Sequence, residues 1–258
     1  MENFILKIGG SLLSKQDFLR ELAGSLPVDY WQTVILHGGG PTITKLFDAF
    51  GRKSIFINGL RSTKDSTIDL VEMALSGQIN KYIARKLTHF GRPAVGISGT
   101  DAELFLAEPI EPDNPENNRV GTIVKITPRI VFSLIEEDWL PVISPIAMDA
   151  NGNALNVNAD DAACRLAIEM KAKALIFLSD VPGIIIDGKV IPELTPRILE
   201  RDKKSGQIHS GMIPKLEMGF EALEAGVDTV LISTWQGIDT LGKLLNQKDV
   251  VFTKLRKD

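Results

Sequence analysis

The sequence predicts an α/β protein, a three-layer αβα sandwich around a mostly parallel, open central sheet. Three observations predict it. Short apolar runs alternate with stretches of helical periodicity along the whole chain, the alternation that places helices on both sides of a parallel sheet. Many of these runs are apolar at every position rather than at every second one, as strands covered on both faces read. Glycine-rich turns follow the first two runs, at the carboxyl ends of strands, where open α/β sheets bind what they bind.

In chain order, Phe4–Ile8, Thr33–Leu36, Ser54–Ile57, Ala94–Ile97 and Gly121–Ile126 read as strands, followed by Leu140–Ser144, Ala174–Leu178, Thr229–Ile232 and Val250–Thr253. Pro41 opens a helix over 41–50, since its missing N–H costs nothing in a first turn. From Thr67 to Phe90, Ile68, Val71, Leu75, Ile79, Tyr82, Ile83 and Leu87 recur at three- and four-residue steps and form one apolar face. Thr127 reads as a cap before Pro128 and a further helix, and Leu216, Phe220 and Leu223 mark another. The polar stretch Glu111–Arg119 predicts an exposed loop or hairpin end. With no Gly-, Ser- or Pro-rich linker and no repeat, the chain reads as a single domain, 1–258. Its approximate lobes are 1–170 and 171–258, because a new strand–turn–helix series starts at Lys173.

Composition excludes several classes. The 258 residues include 33 acidic and 29 basic side chains, a net charge of −4, which lacks the basic excess of a nucleic-acid binder. An apolar share of 44% excludes disorder as the main state. The single cysteine, Cys164, excludes an intrachain disulfide and a cysteine zinc cluster, and fits a reducing cytoplasm. No apolar run approaches the ~18 residues of a membrane-spanning helix. Glu2, Lys7 and Gly9-Gly10 break up the N-terminal apolar stretch, so no secretion signal is expected. The expectation is a cytoplasmic protein without membrane or nucleic-acid partners.

Chemistry concentrates after the strands. The first ends Lys7-Ile8-Gly9-Gly10-Ser11 and the second His37-Gly38-Gly39-Gly40-Pro41. Successive backbone N–H groups at such turns, with a helix N-terminus, make an anion site. One such loop reads equally well as a tight turn; two of them, with Lys7 directly before the first, favour anionic ligands. Neither is a Walker A or Rossmann motif, and the catalytic loop and Asp-Phe-Gly of protein kinases are absent.

Further positions are open to a structural or a functional reading. Asn158 and Asp161 read as a helix cap and its N3 acid. Asn156 and Asp160 have no such explanation, and with Asn158 they alternate so as to face one cleft. Arg61, in Asn58-Gly59-Leu60-Arg61, is either a surface charge or a bidentate carboxylate clamp. Lys215 alone reads as a surface lysine at the start of a helix, and Ser179 to Gly183 alone as a turn. No triad surrounds any of the three histidines, and no His, Asp and Glu spacing marks a metal site. Any metal therefore arrives with a nucleotide.

In this order the segments resemble the amino acid kinase family. They are Lys-Ile-Gly-Gly-Ser at 7–11, His-Gly-Gly-Gly-Pro at 37–41, Asn-Gly-Leu-Arg at 58–61 and Leu-Ser-Gly-Gln-Ile-Asn-Lys at 75–81. Then come Gly-Ile-Ser-Gly at 96–99, Leu-Asn-Val-Asn-Ala-Asp at 155–160, Leu-Ser-Asp-Val-Pro-Gly at 178–183 and Gly-Met-Ile-Pro-Lys at 211–215. The combination of Asn-Gly-Leu-Arg with Leu-Asn-Val-Asn-Ala-Asp is most similar to members whose acceptor is N-acetyl-L-glutamate.

The resemblance implies the amino acid kinase fold and ATP-dependent phosphorylation of the side-chain carboxylate of N-acetyl-L-glutamate, a step of arginine biosynthesis. It implies Lys7 and Lys215 as the cations that stabilise the phosphoryl group in flight, with Asp160 holding both. It implies Gly39, Gly40, Arg61 and Asn156 at N-acetylglutamate, with Asn158 nearby. Gly9 and Gly10 would line the ATP phosphates, and Ser179, Asp180, Gly183, His209, Gly211 and Met212 the rest of the ATP pocket. Mg2+ would arrive with the nucleotide.

A carboxylate acceptor is already ionised at neutral pH, so positioning and charge stabilisation are enough. The alternatives are the same fold acting on an aminoadipate derivative, carbamate or a nucleoside monophosphate, or a silent amino-acid-binding regulatory domain. Thr100, Ser233–Gly237 and the strand Asp249–Thr253 depart from the family pattern. The first strand begins by Phe4, without the extra N-terminal helix of arginine-inhibited hexameric members, so the expectation is an arginine-insensitive homodimer.

Overall fold

The structure, a computed structural model, describes residues 2–27, 31–57, 59–208 and 212–258. The expected class holds: the chain is α/β, with a mostly parallel sheet and helices packed on both sides. The strands are β1 (Glu2–Ile8), β2 (Trp31–His37), β3 (Phe56–Ile57), β4 (Leu60–Arg61), β5 (Ala94–Ser98), β6 (Phe105–Pro109), β7 (Val120–Ile126) and β8 (Leu140–Ser144). They continue with β9 (Ile146–Met148), β10 (Ala154–Val157), β11 (Ala174–Ser179), β12 (Ile185–Ile186), β13 (Lys189–Val190), β14 (Glu193–Leu194), β15 (Thr229–Thr234) and β16 (Phe252–Leu255). The helices are α1 (Phe18–Ser25), α2 (Gly40–Ala49), α3 (Ile68–Glu72), α4 (Asn80–His89), α5 (Arg129–Glu136), α6 (Ala159–Glu169), α7 (Pro196–Ser205), α8 (Ile213–Glu224) and α9 (Thr240–Asn246).

Two compact units form, Met1–Thr33 with Ala163–Asp258, and Val34–Ala162. The sequence reading divides the chain instead near residue 170 and keeps the N-terminus in the first lobe. The difference has a direct cause: β1 pairs in parallel with β11, Phe4 opposite Ala174 through Ile8 opposite Leu178. In the first unit β11 also pairs in parallel with β15, which is antiparallel to β16. All six residues of β11 are buried, as its continuous apolar run requires.

β16 starts two residues later than the apolar run Val250–Thr253 suggests. Gln236 is the reason. Its side-chain amide donates to the Val251 carbonyl at 2.8 Å and accepts from the Val251 N–H at 3.1 Å. The amide thus occupies the place a strand partner would take, and the ladder begins only at Phe252. This turn also carries Trp235, whose indole N–H donates to Glu21 Oε2 at 2.8 Å and whose ring meets Phe18 edge-on at 5.1 Å. The departure at Ser233–Gly237 is therefore a fastening between the turn and α1.

In the second unit β2, β8 and β5 run parallel, and β10, β7, β6 and β9 close a small barrel. The sequence reading recognises only β7 of this barrel, because the other strands are three to five residues long and are defined by non-local pairing. Gly121 is a condition of closure: a Cβ there would stand 2.9 Å from Leu155 Cβ. β3 and β4 form a two-residue hairpin whose turn has Gly59 at φ +80°, a conformation glycine adopts without strain.

The predicted helix 67–90 exists with one alteration. Met73–Ile79 winds as a π-helix between α3 and α4. Ile68, Val71, Leu75, Ile79, Ile83 and Leu87 are buried as expected, but Tyr82 is 37% exposed. A wide turn advances the phase of the helix, and Tyr82 leaves the apolar face. At the start of α5, Pro128 occupies the cap position with no side-chain bond; Thr127 instead pairs its N–H with the Leu104 carbonyl at 3.0 Å. Glu111–Arg119 lacks regular structure, yet Ser62 Oγ donates to the Glu116 carbonyl.

Candidate active site

Gly39, Gly40, Arg61, Asn156, Asn158 and Asp160 belong to the second unit; Lys7, Gly9, Gly10, Ser179, Asp180, Gly183, Met212 and Lys215 belong to the first. His209 and Gly211 lie outside the described residues.

In the second unit Arg61, on β4, is 7% exposed. Its Nη2 donates to the Gly40 carbonyl and to Thr44 Oγ1, each at 3.0 Å, and its Nη1 to Ser54 Oγ. The guanidinium carbon lies 4.7 Å from the centre of the Phe56 ring and 5.6 Å from that of Phe47. Burial pushes its pKa down, yet among the described residues no carboxylate pairs with it. A buried cation held only by neutral oxygens and ring faces is incompletely compensated. Its environment therefore favours an incoming anion.

The second glycine loop is adjacent to this guanidinium. Gly40 opens α2, with Pro41 in its first turn, and first-turn N–H groups have no partner within the helix. A Cβ on Gly40 would meet nothing within 4 Å, whereas one on Gly39 would stand 2.2 Å from Ile79 Cδ1 and 2.8 Å from Leu75 Cδ2. The two glycines are thus bare for different reasons. Gly39 lets the loop press against the π-helix, and Gly40 leaves open space beside the helix end.

Asn156 joins the same cluster through one hydroxyl. Its Nδ2 donates to Thr63 Oγ1 at 3.0 Å, and Thr63 Oγ1 donates to the Arg61 carbonyl at 3.0 Å. Asn158 is occupied structurally: its Oδ1 accepts from the N–H groups of Asp160 at 2.7 Å and Asp161 at 3.3 Å, capping α6 as the sequence reading expects. Asp160 is half-buried in the first turn of that helix.

Sequence reasoning missed Thr44, Ser54 and Thr63. The signal for Thr44 was its place four residues after Gly40, on the same helix face. It also assigned no role to Asn80. Fully buried, Asn80 donates to the carbonyls of Ile97 at 3.0 Å and Val142 at 2.8 Å and sits 3.2 Å from His37 Nε2. It fastens β5 to β8 beneath the glycine loop. Gly96 is bare because a Cβ would come within 2.1 Å of Asn80 Oδ1.

In the first unit Lys7 is 8% exposed and stands in register opposite Phe177 on the adjacent parallel strand. Partners in parallel register project to the same face of a sheet, and Lys215 Nζ lies 5.7 Å from the centre of the Phe177 ring. Both lysines are thus referred to one buried aromatic.

The loop after Lys7 also bears on β11. The Gly9 N–H donates to the Leu178 carbonyl at 2.8 Å, and a Cβ on Gly9 would stand 3.3 Å from that oxygen. Ser179 Oγ accepts from the Val181 N–H at 3.3 Å, and Asp180 is exposed. Gly183, at φ +156°, has Thr253 Oγ1 and Val190 Cγ1 each 2.7 Å from where a Cβ would be. Met212 directly precedes α8, whose first turn contains Pro214 and Lys215.

Each unit of this α/β fold thus offers groups that suit anionic ligands, and the family match places the chain among phosphotransferases. The chain belongs to the amino acid kinase family, which matches residues 3–233. It is 36% identical to the acetylglutamate kinase of Bacillus licheniformis over 99% of this chain and 97% of the relative. It is 38% identical to the acetylglutamate kinase of Pseudothermotoga lettingae, over 89% of this chain and 82% of the relative. The solved carbamate kinase from Giardia lamblia bound to AMP-PNP shares the fold, with a TM-score of 0.70 at 18% identity, covering 100% of this chain and 99% of that chain.

Proposed function

We propose that the chain is an acetylglutamate kinase. It transfers the γ-phosphoryl group of ATP to the side-chain carboxylate of N-acetyl-L-glutamate, giving N-acetyl-L-glutamyl 5-phosphate and ADP. The observation that carries the site reading is Arg61, a buried guanidinium without a carboxylate partner among the described residues, bonded to the carbonyl of Gly40 at the start of α2. Near-full-length identity to acetylglutamate kinases supports the acceptor.

The chemistry needs no general base, because the attacking carboxylate is ionised. Its oxygen forms the new bond to the γ-phosphorus as the bond to the β–γ bridging oxygen breaks, and ADP leaves with the electron pair. Arg61, pinned by Thr44 and Ser54, and the N–H groups at Gly39 and Gly40 bind the acceptor together with Asn156; Asn158 shapes that wall through its cap. Lys7 and Lys215 stabilise the charge on the phosphoryl oxygens, and Asp160 is assigned with them to the catalytic set. Gly9, Gly10, Ser179, Asp180, Gly183, His209, Gly211 and Met212 hold ATP.

Among the described residues no three His, Cys, Asp or Glu side chains group as a metal site. Mg2+ would arrive with the nucleotide and would neutralise charge on its phosphates. No helix of the described residues is long and apolar enough to cross a membrane, and buried Cys164 suits a reducing cytoplasm. The enzyme acts there as a homodimer. Met73, Tyr82, Phe132 and Trp139 of the second unit are each at least 37% exposed and are offered as part of the dimer interface.

A hydroxylamine trap tests the reading. The protein is incubated with Mg-ATP and, separately, glutamate, N-acetylglutamate, α-aminoadipate and N-acetyl-aminoadipate. Hydroxamate is expected with N-acetylglutamate alone. Its formation only with an aminoadipate substrate would replace the acceptor, and its absence from every mixture, with ATP still bound, would overturn carboxylate phosphorylation.

A further inference from the structure

Arg119, the last residue before β7, joins three segments of the second unit. Its backbone N–H donates to the Thr63 carbonyl at 3.0 Å, and its carbonyl accepts from the Asn156 N–H at 2.8 Å. Its side chain reaches two carboxylates on either side of that seam. Nε donates to Asp65 Oδ1 at 2.5 Å, and Nη1 lies 4.0 Å from Asp149 Oδ2.

Each carboxylate belongs to the chain of an acceptor-binding residue. Asp65 stands four positions after Arg61 and also accepts from Asn118 Nδ2 at 3.1 Å. Asp149 builds the turn that leads into β10 and Asn156: its Oδ1 accepts from the N–H groups of Asn151 and Asn153, each at 2.8 Å, and its Oδ2 from Asn153 Nδ2 at 2.9 Å. The Arg119 side chain is 21% exposed and that of Asp149 14%, so this link is sheltered from solvent more than a surface ion pair is.

We propose that Arg119 is a positioning residue for the acceptor: its side chain clasps the Arg61 strand and the Asn156 strand together by bridging Asp65 and Asp149. A guanidinium suits this task because its planar fork can serve two carboxylates at once, whereas an ammonium is a single point. The main-chain bonds of residue 119 survive substitution, so the side chain tunes separation rather than creating the barrel. The proposal rests on the assignment of Arg61 and Asn156 to the acceptor.

The test is steady-state kinetics on the full chain, varying N-acetylglutamate and ATP separately. Arg119→Gln is expected to raise the KM for N-acetylglutamate about tenfold while leaving kcat and the KM for ATP within about twofold, the pattern of lost ground-state binding. Arg119→Lys is expected to recover part of that loss. Asp65→Asn, at a carboxylate whose side chain is 64% exposed, is expected to weaken the acceptor by a few-fold. Arg61→Lys is the control for the underlying assignment: if it leaves the acceptor KM unchanged, the assignment fails. If Arg61→Lys weakens the acceptor and the Arg119 and Asp65 variants do not, or if they raise both KM values equally, the clasp is overturned.

Discussion

Arg61 shows how a residue that reads ambiguously in sequence becomes specific in structure. A guanidinium has five donors, and here three go to the Gly40 carbonyl, Thr44 and Ser54, which fixes its plane before any ligand arrives. Gly40 complements it by leaving space, so Gly40→Ala is expected to fold normally and to raise the KM for N-acetylglutamate with ATP affinity unchanged, measured by steady-state kinetics and thermal melting. A lowered melting temperature instead would mean that the glycine serves the loop. In the proposed reaction the two lysines act on the transition state. Lys7→Met or Lys215→Met is expected to lower kcat by a few hundredfold or more, since one stabilising donor of this kind commonly contributes ~2.7–4 kcal/mol. A near-normal rate from either folded variant would remove that lysine from the chemistry.

Among the elements, the helix from Ile68 to His89 has the most consequence. Its π-helical stretch brings Leu75 and Ile79 against Gly39, and lets Ser76 Oγ meet Ser144 Oγ at 2.7 Å. Just before it, Glu72 has its pKa raised by burial first, and then by the nearby charges of Asp69 and Asp101. A carboxyl whose folded pKa exceeds its unfolded value of about 4.3 binds its proton more tightly when folded. Ionised Glu72 therefore weakens the fold above its folded pKa, and that weakening disappears as pH falls below the unfolded value. Glu72→Gln is expected to melt at a higher temperature than the parent at about pH 7.5, with the gap closing toward about pH 4. An equal gap at both pH values would assign the effect to packing. The periodicity that predicts this helix does not disclose its wide turn, because a single added residue barely alters an apolar pattern read at three- and four-residue steps.

For the whole molecule, the sequence divides the chain in order, but the fold does not. β1 and α1 join the unit formed by Ala163–Asp258, because a parallel strand takes its partner from across the chain and leaves no local sign of it. The proposed homodimer is a property of this scale too. Light scattering of the purified chain is expected to give twice the chain mass; a monomer would leave the exposed aromatics of the second unit without that role, and a hexamer would count against the arginine-insensitive form.

The sequence by itself determined the α/β class, most strand positions, the two glycine loops, the Asn158 cap and the kinase family, because each is written in contiguous residues or in short motifs kept in order. Tertiary structure alone decided the small barrel, the company of Thr44, Ser54 and Thr63 around Arg61, the reference of Lys7 and Lys215 to Phe177, and the bridge from Arg119 to Asp65 and Asp149. Those depend on which distant segments become neighbours, and hydrogen bonds between residues 54 and 93 positions apart leave no periodicity in a single chain.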